Sequence, residues 1–558
     1  MAEPGSTTIG RPGLAALSIT ALVYLPLLWA DYVWDDDALI LANTALEGID
    51  GLIAAWTGGL WDHTPSANHP PLYYRPWMLW SLWLDRLLGQ SAMVAHAHSL
   101  VWHLVCVLLT GLVGQRLGAG RTAAWGGALL FGLHPVAVES VAWVSARNDT
   151  MALAGTLGAV WLALDTQRSR SHTLAGVVAC ALFAAGSKES AYLLPVALVP
   201  VLWAARVPWK APTAAALTGV GAVVLAHGVA GVGWPEGASP ARLFAAAPSW
   251  AGWTLDALFW PGHRAPGDHL RWATTFSIPG VLLAATTLGS VVRWGPRPAV
   301  GMLAFGVCGA ATAWPAVAHV GSLGDRYVLA TLAGTSIAVA LTAGALSKKF
   351  PARAVLAGSV IPLLALAGLT SASIPAWRDD PTLWEAAHAR HDSPLTAASL
   401  AKVVELEGDL DRAATLYRAG LVHNPPPHIC WNIAAIELKR GQPQVAAVAG
   451  QVAMRTYNCP PDPELVCPMR YGQAWTGSWT PTAHNANTDP TGLCTIVDLA
   501  LEARAGRMEA LDSVTEGSPD QKQALAARLV PLLEAGRDPT TAEAVKAWAS
   551  GTTTAPGG

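Results

Sequence analysis

The stretch YVWDDDALILAN, Tyr32 to Asn43, sets three consecutive carboxylates, Asp35, Asp36 and Asp37, directly behind an apolar run from Gly13 to Ala30. Adjacent carboxylates can supply a general base, and the spacing Asp35-x-Asp37 could also chelate a divalent ion that bridges to phosphate. Three more segments carry charge of both signs: HPVAVESVAWVSARNDT with Glu139, Arg147 and Asp149, GSKESA with Lys188 and Glu189, and GDRYVLA with Asp325, Arg326 and Tyr327. Several cations close together hold a phosphate through charge-assisted hydrogen bonds. A carboxylate beside such a clamp suits the transfer of a sugar from a lipid-linked phosphate. One carboxylate deprotonates the acceptor hydroxyl while arginines stabilise the departing phosphate.

The elements that must position these residues cross a membrane. Of 558 residues, 52% are hydrophobic and 13% charged, and the mean hydropathy is +0.35; a soluble protein carries about twice that share of charge. The chain reads as an all-α polytopic membrane protein. A net charge of −3 gives no basic footprint for nucleic acid. Apolar runs long enough to span are expected at 13–30, 94–115, 122–142, 149–165, 172–187, 190–205, 212–232, 276–292, 299–318, 327–346 and 354–374, about eleven in all. Trp250 to Trp260 is too short to span, carries Asp256 and reads as interfacial. The first run lacks a small-x-small cleavage site after Ala30, which makes it a retained anchor.

Basic residues assign the sides. Arg116 and Arg121, Arg168 and Arg170, Arg206 and Lys210, Arg293 and Arg297, and Lys348, Lys349 and Arg353 fall in alternate loops, which are therefore cytoplasmic. Arg11 puts the N-terminus on the same side, and eleven crossings leave the C-terminus outside. All four charged groups then reach the outer surface within a turn or two of a span. Taken alone, each group is an ordinary helix end with interfacial charge. Taken together, they mark a site, because anchoring helices does not require acids and cations from four distant segments.

Other residues have weaker claims. His96 and His103 share a helix face but read as packed histidines rather than metal ligands. Most of the 26 tryptophans suit interfacial belts, while Trp34, Trp56 and Trp61 in the first outer loop could stack on sugar rings.

Beyond the last span the composition turns polar. ELEGDLDRAATLYRAGLVHNPPP (Glu405 to Pro427) and ELKRGQPQVAAVAGQVAMRTYNCPP (Glu437 to Pro461) each read as helix, Gly-containing turn, helix and closing prolines, the outline of a tetratricopeptide repeat. LALEARAGRMEALDSV, Leu499 to Val514, is a degenerate third unit, and a small helical bundle is the plainer alternative. Such stacks present a concave surface for an acceptor or partner. Cys430, Cys459, Cys467 and Cys494 all fall here, and an extracytoplasmic domain would oxidise them. Four cysteines allow three pairings, of which Cys430 with Cys459 and Cys467 with Cys494 is favoured over a zinc site, since no close Cys-x-x-Cys pair is present.

VWDDDALILAN, YYRPWMLWSLWLDRLLG (Tyr73 to Gly89), HPVAVESVAWVSARNDTMA, SKESA and GDRY, in this order, resemble the membrane region of the transmembrane and tetratricopeptide-repeat protein O-mannosyltransferases and their bacterial relatives. The resemblance covers about residues 10–390 and implies a bundle of the GT-C type. Residues 1–374 would form the glycosyltransferase region, with the first outer loop at 31–93, and 375–558 an extracytoplasmic helical domain. Asp35 and Asp36 match the family's paired carboxylates that act on the acceptor, with Asp37 beside them. Arg147 and Asp149 match its second outer-loop block, Lys188 and Glu189 a lysine-glutamate pair at a span entrance, and Arg326 a late basic-aromatic pair. After Tyr327, Val-Leu-Ala replaces a more aromatic run.

The expectation is an integral protein of a bacterial inner membrane that moves mannose or another hexose from a polyprenyl-phosphate donor to an acceptor hydroxyl, on Ser or Thr of protein or on a glycan or lipid. Arg147, Lys188 and Arg326 would hold the donor phosphate, with Glu139, Asp149 and Glu189 orienting the cations and Asp325 and Tyr327 in support. A lipid-linked-substrate transporter is the rival, though charge crowds one face instead of the midplane. A scaffold acting through its repeats is the other.

Overall fold

A computed structural model of the chain describes residues 8–64, 73–233, 239–262, 268–269, 278–320, 322–390 and 393–420, single positions between 432 and 508, and residues 509–515, 518–535 and 539–551. The chain divides into two compact units at Leu383/Trp384, not at residue 374. The extra segment folds back onto the first unit: Asp31 donates its N–H to the Arg378 carbonyl at 2.8 Å, and Trp377 is buried.

The first unit is helical, with a single two-residue antiparallel pair, β1 (Asp268–His269) with β2 (Ser322–Leu323), among the described residues. In chain order its helices are α1 (Gly10–Tyr24), α2 (Asp50–Thr57), α3 (Pro76–Leu87), α4 (Ala92–Arg116), α5 (Arg121–Gly132), α6 (Val138–Ala142), α7 (Arg147–Ala163), α8 (Arg170–Ser187) and α9 (Leu194–Ala205). They continue as α10 (Lys210–Val229), α11 (Pro240–Phe259), α12 (Ile278–Trp294), α13 (Arg297–Val320), α14 (Leu329–Leu346) and α15 (Ala352–Ser373), after which α16 (Asp380–Arg390) begins. Helix covers part of each of the eleven segments expected to span. Among the described residues six stretches are long and apolar enough to cross a bilayer: Gly10–Trp29, Ala92–Arg116, Lys210–Val229, Arg297–Pro315, Asp325–Leu346 and Ala357–Trp377. This is an integral membrane protein.

Two segments depart from the sequence reading. Residues 122–142 do not make one helix: α5 ends at Gly132, His134 is extended at ψ 129°, and its Nδ1 accepts from the Val136 N–H. Pro135, which has no N–H to donate, restarts the chain as a short turn ahead of α6. The Trp250 to Trp260 patch is the second half of α11, a 20-residue helix started by the Ser239 cap and Pro240. It packs on α13, where the Trp250 indole donates to Ala310 O at 3.1 Å and the Trp314 indole donates to Leu243 O at 3.0 Å.

α7 lies at the centre, with nearly every residue buried. It meets α8 so closely that a Cβ on Gly155 would sit 2.9 Å from the Ala184 Cβ. Small residues thus bring α7, and the charged groups at its N-terminus, into the middle of the bundle.

In the second unit, α17 (Pro394–Leu406) opens with a Ser393/Thr396 capping box and joins α18 (Leu410–Ala419) through Gly408, whose φ of +90° suits glycine. This helical hairpin overlaps the first expected repeat. Most of the second, Glu437 to Pro461, lies outside the described residues, as do Cys430, Cys459, Cys467 and Cys494. Helices at Glu509–Thr515, Pro519–Ala535 and Pro539–Ala549 follow.

Candidate functional site

Trp34 starts the site with a backbone reversal. Its φ of +59° is left-handed, a costly state for a bulky side chain. Two contacts hold it there: its N–H donates to Asp380 Oδ1 at 2.8 Å, and its indole stacks on Trp143 with centroids 4.3 Å apart. The three aspartates then diverge. Asp35 is half-buried and lines a cavity of about 360 Å³. Asp36 is fully buried and turned away, accepting from the Ser145 N–H at 2.8 Å, the Ser145 hydroxyl at 2.5 Å and the Val33 N–H at 3.3 Å. Asp37 is exposed and starts a short π-helical turn, Asp37–Leu41.

Burial pushes the Asp35 carboxyl up to about 6, against the lowering effect of Arg326 and with Asp380 adding to the rise. Burial likewise pushes Asp36 up to about 7 in spite of the Ser145 hydrogen bonds. Asp35 is thus a carboxylate whose basicity is raised toward neutral pH and which opens onto a cavity.

Three cations share that cavity, each anchored by a carboxylate. Arg75 forms a bidentate pair with Glu189, its Nη2 2.8 Å from Oε2 and its Nε 3.1 Å from both oxygens. Lys188 Nζ is 2.5 Å from Asp149 Oδ2. Arg326 pairs with Glu139, which also accepts the Asp325 N–H at 2.7 Å. The Arg326 guanidinium lies 4.9 Å from the Trp143 ring and 4.6 Å from that of Tyr327, which Lys188 also faces at 5.5 Å. The approach of the Arg326 pair explains Gly324: a Cβ there would fall 2.6 Å from Arg326 Nη1 and 2.9 Å from Glu139 Oε1.

Away from the charges the cavity turns apolar. Leu153, Thr156, Leu194, Ala197, Phe305 and Leu329 line it from α7, α9, α13 and α14. Charged and apolar ends in one space suit an amphiphile with a phosphate head and a hydrocarbon tail.

The structure does not bring Arg147 to the cavity. Its guanidinium is fully buried, 2.6 Å from Asp85 Oδ2 as an ion pair without hydrogen-bond alignment. Its N–H groups donate to Ser99 Oγ at 3.0 Å, Ser81 Oγ at 3.1 Å and Ala95 O at 2.7 Å. His98 completes the cluster: the Trp102 indole donates to its Nε2 at 3.0 Å, which assigns the ring proton to Nδ1, 2.6 Å from Asp85 Oδ1. This cluster ties α3 and α4 to the start of α7, two residues before Asp149. The cation in the place expected for Arg147 is Arg75, held two residues after Tyr73, another left-handed residue at φ +67°.

Asp37 does not line the cavity beside Asp35, and among the described residues no three His, Cys, Asp or Glu side chains gather as a metal site requires. The donor set therefore does not fit a chelate built on Asp35 and Asp37. His96 and His103 bind different carbonyls, Asp31 O at 3.1 Å and Gly132 O at 3.2 Å. Trp61 lines the cavity, whereas Trp56 packs edge-on against Trp77 at 5.5 Å.

Over 201 residues, 35% of its length, the chain is 25% identical to Protein O-mannosyl-transferase F38B6.6 of Caenorhabditis elegans, covering 29% of that protein. Over 142 residues, 25% of its length, it is 33% identical to Protein O-mannosyl-transferase Tmtc1 of Drosophila melanogaster, covering 16% of it. Over 143 residues, again 25% of its length, it is 30% identical to Protein O-mannosyl-transferase Tmtc2 of the same fly, covering 15%. The chain thus spans less than a third of the length of these curated relatives. No family model matches it, and no solved structure does.

Proposed function

We propose that this chain is a membrane glycosyltransferase that moves a hexose from a polyprenyl-phosphate donor to an acceptor hydroxyl at the extracytoplasmic face, within a bundle of the GT-C type. One observation carries the reading: a half-buried Asp35, three anchored cations and an apolar limb share one cavity. Names of relatives that include protein O-mannosyl-transferase support mannose as the sugar and protein as the acceptor. The alternation of basic loops supports a cavity facing away from the cytosol.

In this mechanism Asp35 accepts the proton of the acceptor hydroxyl as its oxygen attacks the anomeric carbon. The bond from that carbon to the phosphate oxygen breaks, and polyprenyl phosphate leaves with its added negative charge. Arg75, Lys188 and Arg326 receive that charge through the N–H groups not committed to their carboxylates. Glu189, Asp149 and Glu139 hold the cations in place. Asp36 fixes the outer loop on Ser145, and Arg147 fixes the start of α7. With Asp35 as the only carboxylate of the described cavity lining that no cation pairs, the displacement is a single step and inverts the anomeric configuration.

The test is transfer of radiolabelled mannose from polyprenyl-phosphate mannose to a Ser/Thr-containing protein by the purified chain in vesicles. Transfer by the native chain and its loss in Asp35→Asn are expected. An Asp35→Asn protein that transfers at the native rate, or a native chain inert toward every polyprenyl-phosphate sugar, refutes the proposal.

A further inference from the structure

The end of the bundle opposite the cavity carries cations of a different kind. α14 runs from Leu329 beside the cavity through 18 residues to Leu346, about 27 Å of helix, so Lys348 and Lys349 stand near the other membrane surface. The α12–α13 turn packs on this end of α14, since a Cβ on Gly295 would lie 2.8 Å from Thr342 Oγ1. α13 packs in turn on the end of α9, where a Cβ on Gly301 would lie 2.8 Å from the Ala204 Cβ. The chain ends collected here come from three stretches, 190–235, 291–323 and 327–377, that contain no Asp or Glu at all.

The cations are exposed, and indoles hold several of them. Arg293 and Lys349 both lie over the Trp294 ring, 4.4 and 5.1 Å from its centroid, and Arg297 lies 4.8 Å from that of Trp203. Trp294 is 40% exposed and Trp203 61%. Among the described residues, none of Arg206, Lys210, Arg293, Arg297, Lys348 and Lys349 has a carboxylate in ion-pair reach. Arg116, near the same end, is by contrast paired with Asp165 at 2.8 Å. Two like charges sharing one indole repel each other, and with no acidic side chain to offset them they call for an anion from outside. The neighbouring Val292 and Phe350 are exposed and apolar, so that anion would arrive in a hydrocarbon-lined setting at headgroup depth.

We infer that the ends of α9, α12, α13 and α14 bind the phosphodiester of an anionic phospholipid in the leaflet opposite the cavity. Arg293 and Lys349 grip the phosphate across Trp294, Arg297 on Trp203 adds a third cation, and the acyl chains lie along the apolar face of α12. This site does not depend on the reaction proposed above.

The experiment equilibrates the purified chain with mixed micelles holding equal phosphatidylglycerol and phosphatidylcholine, then quantifies retained lipid by mass spectrometry. Phosphatidylglycerol is expected to be enriched by about fivefold per engaged cation. Arg293→Gln with Lys349→Gln should lower that enrichment by on the order of tenfold or more, and Lys349→Gln alone by part of it. Both side chains are exposed, so the fold should be kept, as thermal unfolding in detergent will report. Equal retention of the two lipids by the native chain overturns the inference, as does undiminished enrichment in the double variant. Competition by inorganic phosphate at the lipid's concentration would reassign the site to a free anion.

Discussion

Replacing Arg147 separates a structural arginine from a substrate ligand. Its guanidinium and the Asp85 carboxylate have side-chain exposures of 0% and 1%, so no solvent screening discounts the pair. Breaking such a pair leaves a buried charge uncompensated, at a cost of about 3–5 kcal/mol, a large share of a typical folding free energy of about 5–15 kcal/mol. Arg147→Met should therefore unfold earlier by several degrees in detergent and give less monodisperse protein. Asp85→Leu should do the same, while the double variant, with neither charge, should be less destabilised than the sum by on the order of 3 kcal/mol. The assay is denaturant unfolding of all four proteins as a double-mutant cycle, with donor KM measured on the monodisperse fraction. That KM should stay near native, because Arg147 is not in the cavity wall. An Arg147→Met protein of native stability with a strongly raised donor KM would refute this assignment and restore Arg147 as a phosphate ligand.

The remaining predictions concern the cavity. A general base must be ionised, and the Asp35 carboxyl is raised from its usual range to about 6, so kcat/KM should fall as pH drops through about 6 and level off above it; a limb near 4 would argue against Asp35. Arg75→Gln removes charge-assisted donors worth about 1.5–3 kcal/mol and should raise donor KM by roughly tenfold or more; because it also leaves Glu189 without its partner, KM is read on the monodisperse fraction, where an unchanged value would remove Arg75 from the phosphate site. Gly324→Ala inserts a methyl group against Arg326 and Glu139 and should cut kcat while leaving the yield of monodisperse protein in detergent near native, which activity per folded molecule will check.

How much of this was legible in the sequence depends on where each residue's partner sits. The carboxylates of WDDD stand out because charge beside an apolar run is expensive, and that much is local. Which of the three faces the cavity is not local: the left-handed turn at Trp34 rests on Asp380, 346 positions away. Arg147 and Arg75 illustrate the same limit. Both are arginines at the start of a helix, and what separates them is an acid elsewhere, Asp85 for one and Glu189 for the other. A usable signal was present, since Ser81 and Asp85 are four apart in WMLWSLWLDRLL, whose one other charged residue is Arg86, and so occupy one face of α3. A polar face in such a helix requires a buried partner. The border of the membrane unit was displaced for a similar reason, because Ile374 to Leu383 carries Arg378, Asp379 and Asp380 but docks on Asp31 and Trp34.

The arrangement of charge explains how a cavity with three cations can persist without a substrate. Unpaired cations in so enclosed a space would be costly, whereas each here sits on its own carboxylate, so the ring is close to neutral and fixed in position. The pairing does not exhaust the donors. Arg75 commits Nε and Nη2 to Glu189 and keeps Nη1, and Lys188 commits one of its three hydrogens to Asp149. In the proposed reaction a phosphate enters by filling spare donor positions without displacing the anchoring acids. Asp35, held by no cation of its own, is left to exchange a proton. Neutral anchoring of the cations and an unanchored carboxylate are thus two parts of what the proposed reaction requires: a site that binds an anion and still retains a base.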